Sequence, residues 1–349
     1  MIFVGDVAVA PGDRFSFERV PAGFRNAAQC FNLEGAVYAL SSPPAWGTCS
    51  WEGWAASFSE FHLVVAFIGN NHIQDVAGGI GRSMSKLSKM GISAVGAGAN
   101  AREAARNVEA KYREQKYVVL GCGWLVVGCQ SVGECAPKVN PLEGRAVRRQ
   151  VIEALRQDNQ EARVVVVMHG NYEFEFYAQP AHSKLAMALI DLGAYAVVGR
   201  HSHVVGPVEQ CKGRTIAYSL GNWAFSYGRF VGGRLRFPES SFHQIALEPG
   251  AACDTVHHAR FHPSSTVRYE SSESVGCNEF SLRPEFAGYS HEEYCRWLRR
   301  NRVKRLALPI CRDADASRAN RLRDAWVAAR QVVVDQLART GVKRMRRGG

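Results

Sequence analysis

The chain contains the runs VVVVMH at residues 164–169, AVVGRHSH at 196–203 and TIAYSLGN at 215–222, and these three decide its fold. Runs this short and this apolar, bounded by polar or glycine residues, predict buried β-strands. In a sheet that helices cover on both faces, ligands bind beyond the carboxyl ends of the strands. The three runs therefore predict an α/β fold. We expect the polar side chains at the ends of these strands to lie at one rim of the sheet; they are His169, His201, His203 and Asn222.

Imidazole groups are the strongest chemical signal at this predicted rim. His201 and His203 are separated by one residue, so at a strand end they lie on the same face. A single histidine at a strand end is more often a packed core or loop residue. Three histidines on adjacent strand ends favour a metal site instead, because imidazole is the commonest metal ligand.

Earlier runs of the chain repeat the same pattern of an apolar segment followed by a coordinating side chain. Asp6 follows the run at residues 2–4, Glu34 follows the run at 29–33, and Asn71 and His72 follow the run at 61–68. A carboxylate or an amide at such a position is either a loop cap or a metal ligand. The repetition favours the second interpretation.

Composition limits the class of protein. The chain has 349 residues, 46% of them hydrophobic, which is enough for a large core and an appendage. Its ten cysteines contain no CxxC pair and indicate reduced thiols. Met1 leads directly into an apolar strand without the charged start of a signal peptide, and no apolar run reaches the roughly 18 residues of a membrane helix. These features predict a cytoplasmic protein without a transmembrane segment.

Positive charge is concentrated in the last part of the chain. Of the net charge of +11, a surplus of 10 comes from 283–349, with 17 Lys or Arg against 7 Asp or Glu. We therefore expect one domain over residues 1–250 and a basic, largely helical extension over 251–349, with a disordered tail at 343–349. The basic surplus could attract an anionic partner or a membrane surface. The lack of a reader motif argues against nucleic-acid binding.

Helical periodicity appears in three places. It predicts helices over residues 78–90 and 143–157. By contrast, residues 242–247 are expected to form the last strand of the sheet. Near the end of the chain one apolar stripe is predicted to pack against the sandwich, with Leu322 and Trp326 buried. The members of this stripe are Leu322, Trp326, Ala329, Val333 and Leu337.

Seven short motifs carry a resemblance to a known family. They are GDVAV (5–9), NLEG (32–35), GNNHIQD (69–75), VGAGAN (95–100), VVMHGNYEF (166–174), GRHSHVVGPVE (199–209) and YSLGNWAF (218–225). Their order and spacing over residues 1–250 resemble the CapA-type family of poly-γ-glutamate capsule synthesis, within the calcineurin-like metallophosphatase superfamily. The resemblance implies a four-layer αββα sandwich with a metal site at the strand ends and a C-terminal helical extension.

The resemblance also implies roles for particular residues. The implied metal ligands are Asp6, Glu34 as the bridging carboxylate, Asn71, His169, His201 and His203. His72 matches the general acid, and Glu173 matches a glutamate that follows the strand-end histidine in CapA-type sequences. Ala8 stands where classical members carry one more histidine ligand, so one or two ions are expected. A donor set of imidazole and carboxylate suits Mn²⁺, Zn²⁺ or Fe²⁺.

Three functions follow from these observations. The first is a metal-dependent hydrolase that acts on a phosphoester or on a γ-glutamyl or peptide substrate, in polyglutamate or related biosynthesis. The second is a metal-dependent peptide epimerase of the lasso-peptide type, which inverts an α-carbon by proton transfer. The third is a non-catalytic scaffold of a biosynthetic complex.

Overall fold

The computed structural model describes most of the chain. The described residues are 1–39, 41, 47–129, 136–157, 161–230, 235–250, 253–275, 281–282, 288–303, 308–315 and 317–339. The tail predicted at 343–349 lies outside them.

The secondary structure alternates strands and helices for most of its length. The strands are β1 (Ile2–Ala8), β2 (Ser16–Glu18), β3 (Gln29–Leu33), β4 (Ala36–Tyr38), β5 (Cys49–Trp51), β6 (Leu63–Phe67), β7 (Ser93–Val95), β8 (Ala97–Gly98), β9 (Val108–Tyr112), β10 (Gln115–Gly123), β11 (Lys138–Val139), β12 (Arg163–His169), β13 (Ala196–Arg200), β14 (Val208–Cys211), β15 (Arg214–Ala217), β16 (Asn222–Phe225), β17 (His243–Glu248), β18 (Asp254–His262), β19 (Thr266–Val275) and β20 (Ser281–Leu282). The α-helices are α1 (Ala22–Asn26), α2 (Gly79–Lys89), α3 (Ala101–Ala104), α4 (Gly144–Gln157), α5 (Pro180–Asp191), α6 (His291–Asn301) and α7 (Ser317–Arg339). Short 3₁₀ helices span Trp54–Phe58, Leu125–Val127 and Glu239–Ser241.

Two large sheets organise these strands. The first has the order β2-β19-β18-β17-β1-β3-β6-β7, and β16 pairs with the carboxyl-terminal half of β1. The second has the order β20-β14-β15-β13-β12-β10-β9. The centres of both sheets are parallel, since β1, β3, β6 and β7 run together in one and β10, β12, β13 and β15 in the other. Parallel strands put their carboxyl ends on one edge, so each sheet has a single rim for polar side chains.

The two sheets pack face to face, and helices cover their outer faces. Strand β12 has a continuous apolar sequence because both of its faces are buried. Val165 and Val167 face the core between the sheets, whereas Val164 and Val166 face the core under α4 and α5. Helix α2 and the 3₁₀ helix at 54–58 cover the first sheet in the same way. The molecule is therefore a four-layer αββα sandwich, as predicted.

The predicted helices at 78–90 and 143–157 correspond to α2 and α4. The prediction that 242–247 is the last strand is wrong, because β18 and β19 follow it and extend the first sheet in antiparallel pairs. Their apolar residues alternate with polar ones, since one face of this part of the sheet is open to solvent. Such alternation is a weaker signal than a continuous buried run. Residues 254–275 are thus strands rather than helix, and the division of the chain at residue 250 stays a prediction.

Helix α7 differs from its prediction in orientation. Leu322 is 77% exposed and Trp326 is 58% exposed, so the prediction that these two side chains are buried is wrong. Among the α7 side chains that the structure describes, Val327 is buried and packs into the core under α4 and α5. Periodicity identifies an apolar face, but it does not show whether that face meets the rest of the molecule. None of the helices in the described part of the chain is long and apolar enough to cross a membrane.

Candidate metal centre

The carboxyl ends of both sheets meet at one rim, and the predicted ligands lie there. Asp6 stands within β1, Glu34 directly follows β3, and His169 is the last residue of β12. His201 and His203 follow β13, and Asn71 and His72 follow β6. The rings of His169 and His201 have centroids 4.8 Å apart, and those of His201 and His203 are 6.0 Å apart. The structure therefore brings the predicted residues of both sheets together.

One side of this rim is a compact donor cluster. Glu34, His169 and His201 each offer a ligand atom, these atoms lie within 4.8 Å of one another, and all three residues are buried. Asn71 belongs to the same cluster, since its Oδ1 lies 2.8 Å from Nε2 of His169. A carboxylate, an amide oxygen and two imidazoles form a donor set that suits a transition-metal ion.

Buried polar atoms without partners support this interpretation. Oε1 of Glu34 and Nδ1 of His169 and of His201 are buried and make no hydrogen bond. Leaving a buried donor or acceptor unpaired costs about 1–3 kcal/mol, so native structures rarely do so without a reason. A divalent ion would compensate this cost at the carboxylate. The residues present therefore fit a metal ion.

Burial sets the protonation of the two cluster histidines. It lowers the pKa of His201 to about 3, and it lowers the pKa of His169 well below its ordinary value, with the neighbouring histidines acting in the same direction. Neutral imidazole keeps a lone pair for a metal. Burial, followed by the negative charge of Asp6, raises the pKa of Glu34 to about 7. A bound cation would oppose that increase, so metal binding and ionisation of Glu34 support each other.

The other side of the rim is a network of protein groups. Nδ1 of His203 lies 2.9 Å from Oδ1 of Asn222 and 3.4 Å from Oδ2 of Asp6. The amide of Asn32 donates a hydrogen bond of 2.8 Å to Oδ1 of Asp6 and another to Glu34. Burial alone would raise the pKa of Asp6, but the hydrogen bond and charge of His203, together with Arg200, lower it. Asp6 is thus held as a carboxylate by neighbouring protein groups.

His72, the predicted general acid, lies at the entrance of the site. Nδ1 of His72 lies 2.7 Å from Oδ2 of Asp75, and the His72 side chain is 26% exposed. Burial lowers the pKa of His72, but the charge and hydrogen bond of Asp75 outweigh it and raise the pKa to about 9. Glu173 is half-buried, and its negative charge acts to raise the pKa of both His72 and His201.

The backbone at the rim is held in unusual conformations. His201 has a φ of 93° and His203 a φ of 59°, both in the left-handed region that side chains avoid. Asn171 and Phe174, in the loop after β12, have φ values of 80° and 60°. Such conformations cost about 1–3 kcal/mol each and cluster at functional sites. These four residues lie in the loops after β12 and β13, and these strand ends and loops carry the predicted ligands His169, His201 and His203.

Three polar residues of the site are missing from the sequence-based set. Asn32 bridges Asp6 and Glu34, and Asn70 supports it, since Nδ2 of Asn70 donates to Oδ1 of Asn32 at 3.1 Å. Arg200 is only 1% exposed and ends β13. A polar residue inside or at the end of an otherwise apolar run is the signal that could have found all three.

The four-layer sandwich, with buried carboxylate, amide and imidazole groups at its strand ends, is an α/β protein with a candidate metal site. Residues 14–227 match the family model of the bacterial capsule synthesis protein PGA_cap. Because the match covers more than half of the chain, the protein belongs to this family. The resemblance seen in the sequence motifs is thereby confirmed.

Curated relatives agree with this assignment. The chain is 29% identical over 172 residues to the PGA biosynthesis protein CapA of Bacillus subtilis, and the match covers 48% of this chain and 44% of the relative. It is also 29% identical over 175 residues to the capsule biosynthesis protein CapA of Bacillus anthracis, where the match covers 48% of this chain and 42% of the relative. The matched segment therefore spans less than half the length of either relative.

Solved structures are more distant. A hypothetical protein from Thermus thermophilus aligns with a TM-score of 0.39 and 14% identity, over 80% of this chain and 98% of that one. A 5′-nucleotidase precursor from the same organism aligns with a TM-score of 0.36 and 13% identity, over 64% of this chain and 40% of that one. At these scores the likeness carries no argument about activity.

Proposed function

We propose that this capsule-family protein is a metal-dependent hydrolase, and that its substrate is a γ-glutamyl chain. One observation supports the proposal above all others: Glu34, His169 and His201 form a buried donor cluster with unpaired polar atoms. Family membership and the CapA names of the relatives favour the glutamyl substrate. A phosphoester is the second substrate class that the same site could cleave.

Different residues of the site have different proposed roles. Glu34, Asn71, His169 and His201 would hold a divalent ion, with Mn²⁺, Zn²⁺ or Fe²⁺ the best match to their nitrogen and oxygen donors. When bound, such an ion would polarise a carbonyl or phosphoryl oxygen and would lower the pKa of a bound water to about 7. Asp6 and His203 would complete a second position if two ions bind.

His72 is the proposed proton donor to the leaving group. Its Nδ1 is engaged by Asp75 at 2.7 Å, which orients the ring and leaves the other ring nitrogen for the substrate. Asp75 also favours the protonated form of the ring. Glu173 lies close enough to act on His72 electrostatically, so it supports the same protonated state. An acid of this kind contributes about 10²–10⁴-fold to the rate.

The test uses purified protein that has been stripped of metal and reloaded separately with Mn²⁺, Zn²⁺ or Fe²⁺. Release of glutamyl fragments from poly-γ-glutamate is measured beside cleavage of p-nitrophenyl phosphate. We expect metal-dependent cleavage of the glutamyl polymer that His201→Ala abolishes. The matched control is His62→Ala, since His62 is exposed at the other end of β6.

Two results would overturn the proposal. If the protein binds metal but cleaves neither substrate class, hydrolysis is wrong. If a glutamyl peptide instead takes up deuterium at its α-carbon in heavy water without cleavage, the epimerase alternative is correct.

A further inference from the structure

We infer that the site holds a single divalent ion, on the Glu34 side, and that the guanidinium of Arg200 supplies beside Asp6 the positive charge that a second ion would bring. This inference rests on the metal centre proposed above and states how many ions it takes. Its evidence comes from the opposite side of the rim, where a protein cation lies beside Asp6.

Arg200 reaches from one sheet into the other. It is the last residue of β13 and is 1% exposed. Its Nη1 donates a hydrogen bond to the carbonyl of Val4 in β1, and its Nη2 donates to the carbonyl of Cys30 in β3 at 3.5 Å. Arginine does not lose its proton in proteins, so this guanidinium is a permanent positive charge between the sheets.

Asp6 is the carboxylate that faces this charge. Its Oδ1 lies 4.0 Å from Nη1 of Arg200 and accepts a hydrogen bond of 2.8 Å from Asn32. Its Oδ2 lies 3.4 Å from Nδ1 of His203. A buried charge needs a partner of opposite sign, and Arg200 provides one for Asp6 at 4.0 Å, although Oδ2 of Asp6 and Nε of Arg200 are buried and make no hydrogen bond. A divalent ion on Asp6 would sit close to a fixed positive charge and would be repelled.

Apolar groups surround the remaining side of the same position. The ring of His203 lies 5.3 Å from that of Phe225 and 5.1 Å from that of Phe237, measured between centroids. Ala8 packs into the same cluster, together with Phe230. The methyl group of Ala8 has no donor atom for an ion, whereas a histidine at this position could bind one. A second ion would therefore meet aromatic rings on one side and a guanidinium on the other.

The geometry of the backbone explains how the strands that carry this network come so close. Gly5 precedes Asp6, and a Cβ at this glycine would lie 2.3 Å from the carbonyl oxygen of Gly221. Only a glycine allows β16 to approach β1 at this point, where the amide of Asp6 donates to the same carbonyl at 3.1 Å. Asn222, the partner of His203, directly follows Gly221 in the chain, so the network is anchored by three strands.

Metal counting tests the inference independently of catalysis. The full chain is loaded with excess Mn²⁺, desalted and analysed by mass spectrometry of the metal. We expect about one ion for each wild-type chain, about one for Asp6→Asn, and fewer than about 0.1 for His169→Ala. Electron paramagnetic resonance should show the six-line signal of isolated Mn²⁺ rather than that of a coupled pair.

Arg200→Met is the complementary variant. Removal of the guanidinium leaves the Asp6 carboxylate without its cation, so folded Arg200→Met protein should take up a second ion that Asp6→Asn in the same background abolishes. If this variant does not fold, Asp6→Asn alone decides the matter.

Different failures have different meanings. Two ions in the wild type, with one lost in Asp6→Asn, would overturn the single-ion inference and leave the proposed hydrolase intact. One ion without any hydrolysis would overturn the proposed function and leave the inference intact. No bound metal at all would overturn both.

Discussion

The rim at the strand ends and the helix α7 place their side chains in opposite ways. At the rim, the polar side chains of Glu34 and His169 are completely buried. On α7, the apolar side chains of Leu322 and Val333 are 77% and 53% exposed. Each region thus reverses the usual rule that apolar groups are inside and polar groups outside, and such reversals are the informative observations about a surface or a core.

The two reversals have different physical supports. Burial of polar groups at the rim depends on strands from both sheets, on Asn32 and Asn70, and on Arg200. On α7, Leu322 and Val333 are exposed, while Val327 of the same helix packs in the core under α4 and α5. The rim thus buries polar groups by pairing them with other polar groups, whereas α7 packs against the core under α4 and α5 through Val327. The expected anionic partner of the basic C-terminal region stays a prediction.

Among variants that keep the proposed metal ligands, the largest effect should come from His72, at the entrance of the rim. In His72→Ala we expect turnover on the substrate to fall by about 10²–10⁴-fold while bound metal is retained, since the variant removes a proton donor and no proposed ligand. Rate and metal content are measured on the same preparation, with His62→Ala as control. Full activity in His72→Ala would exclude this residue from the mechanism.

The next effect concerns metal affinity. His169→Ala removes a ligand from the buried cluster, and the dissociation constant for Mn²⁺ should rise by at least about 100-fold. Loss of an outer-shell partner alone costs about 10–100-fold in metal affinity, so loss of a ligand should cost at least as much. Calorimetric titration measures the constant. An unchanged constant would show that the rim is not the metal site.

The free energy of unfolding should change when Val327, a buried residue of α7, is shortened. Val327→Ala removes two buried carbon atoms and should lower the free energy of unfolding by about 1–2 kcal/mol. Urea unfolding measures this quantity. A change within error would mean that α7 does not pack against the core under α4 and α5.

The smallest effect should come from the exposed face of the same helix. Leu322→Ala removes more apolar atoms than Val327→Ala, yet it should change the free energy of unfolding by no more than about 0.5 kcal/mol, because the side chain is exposed in both states. The same urea experiment compares the two variants directly. Should Leu322→Ala be the more destabilising of the two, the exposed face would in fact be covered in solution.

Much of the rim could be predicted from the sequence, because local information is sufficient there. An apolar run such as 164–168 can only be a strand or a buried helix, and its length decides for a strand. Parallel strands then place their last residues on a common edge. The proximity of His169, His201 and Glu34 could therefore be predicted from the sequence. Their roles as metal ligands stay predictions until bound metal is measured.

The tertiary structure alone decided three features. It showed that β18 and β19 follow β17 as consecutive antiparallel strands of the first sheet, where alternation of apolar and polar residues is a weaker signal than a continuous apolar run. It turned the stripe of Leu322 away from the sandwich, because a helical repeat defines a face but not its neighbour. It also placed Arg200 across the gap between the sheets, 4.0 Å from Asp6, although these two residues lie far apart in the chain. The sequence by itself determined which groups could bind a metal, while packing determined which of them already had a protein partner.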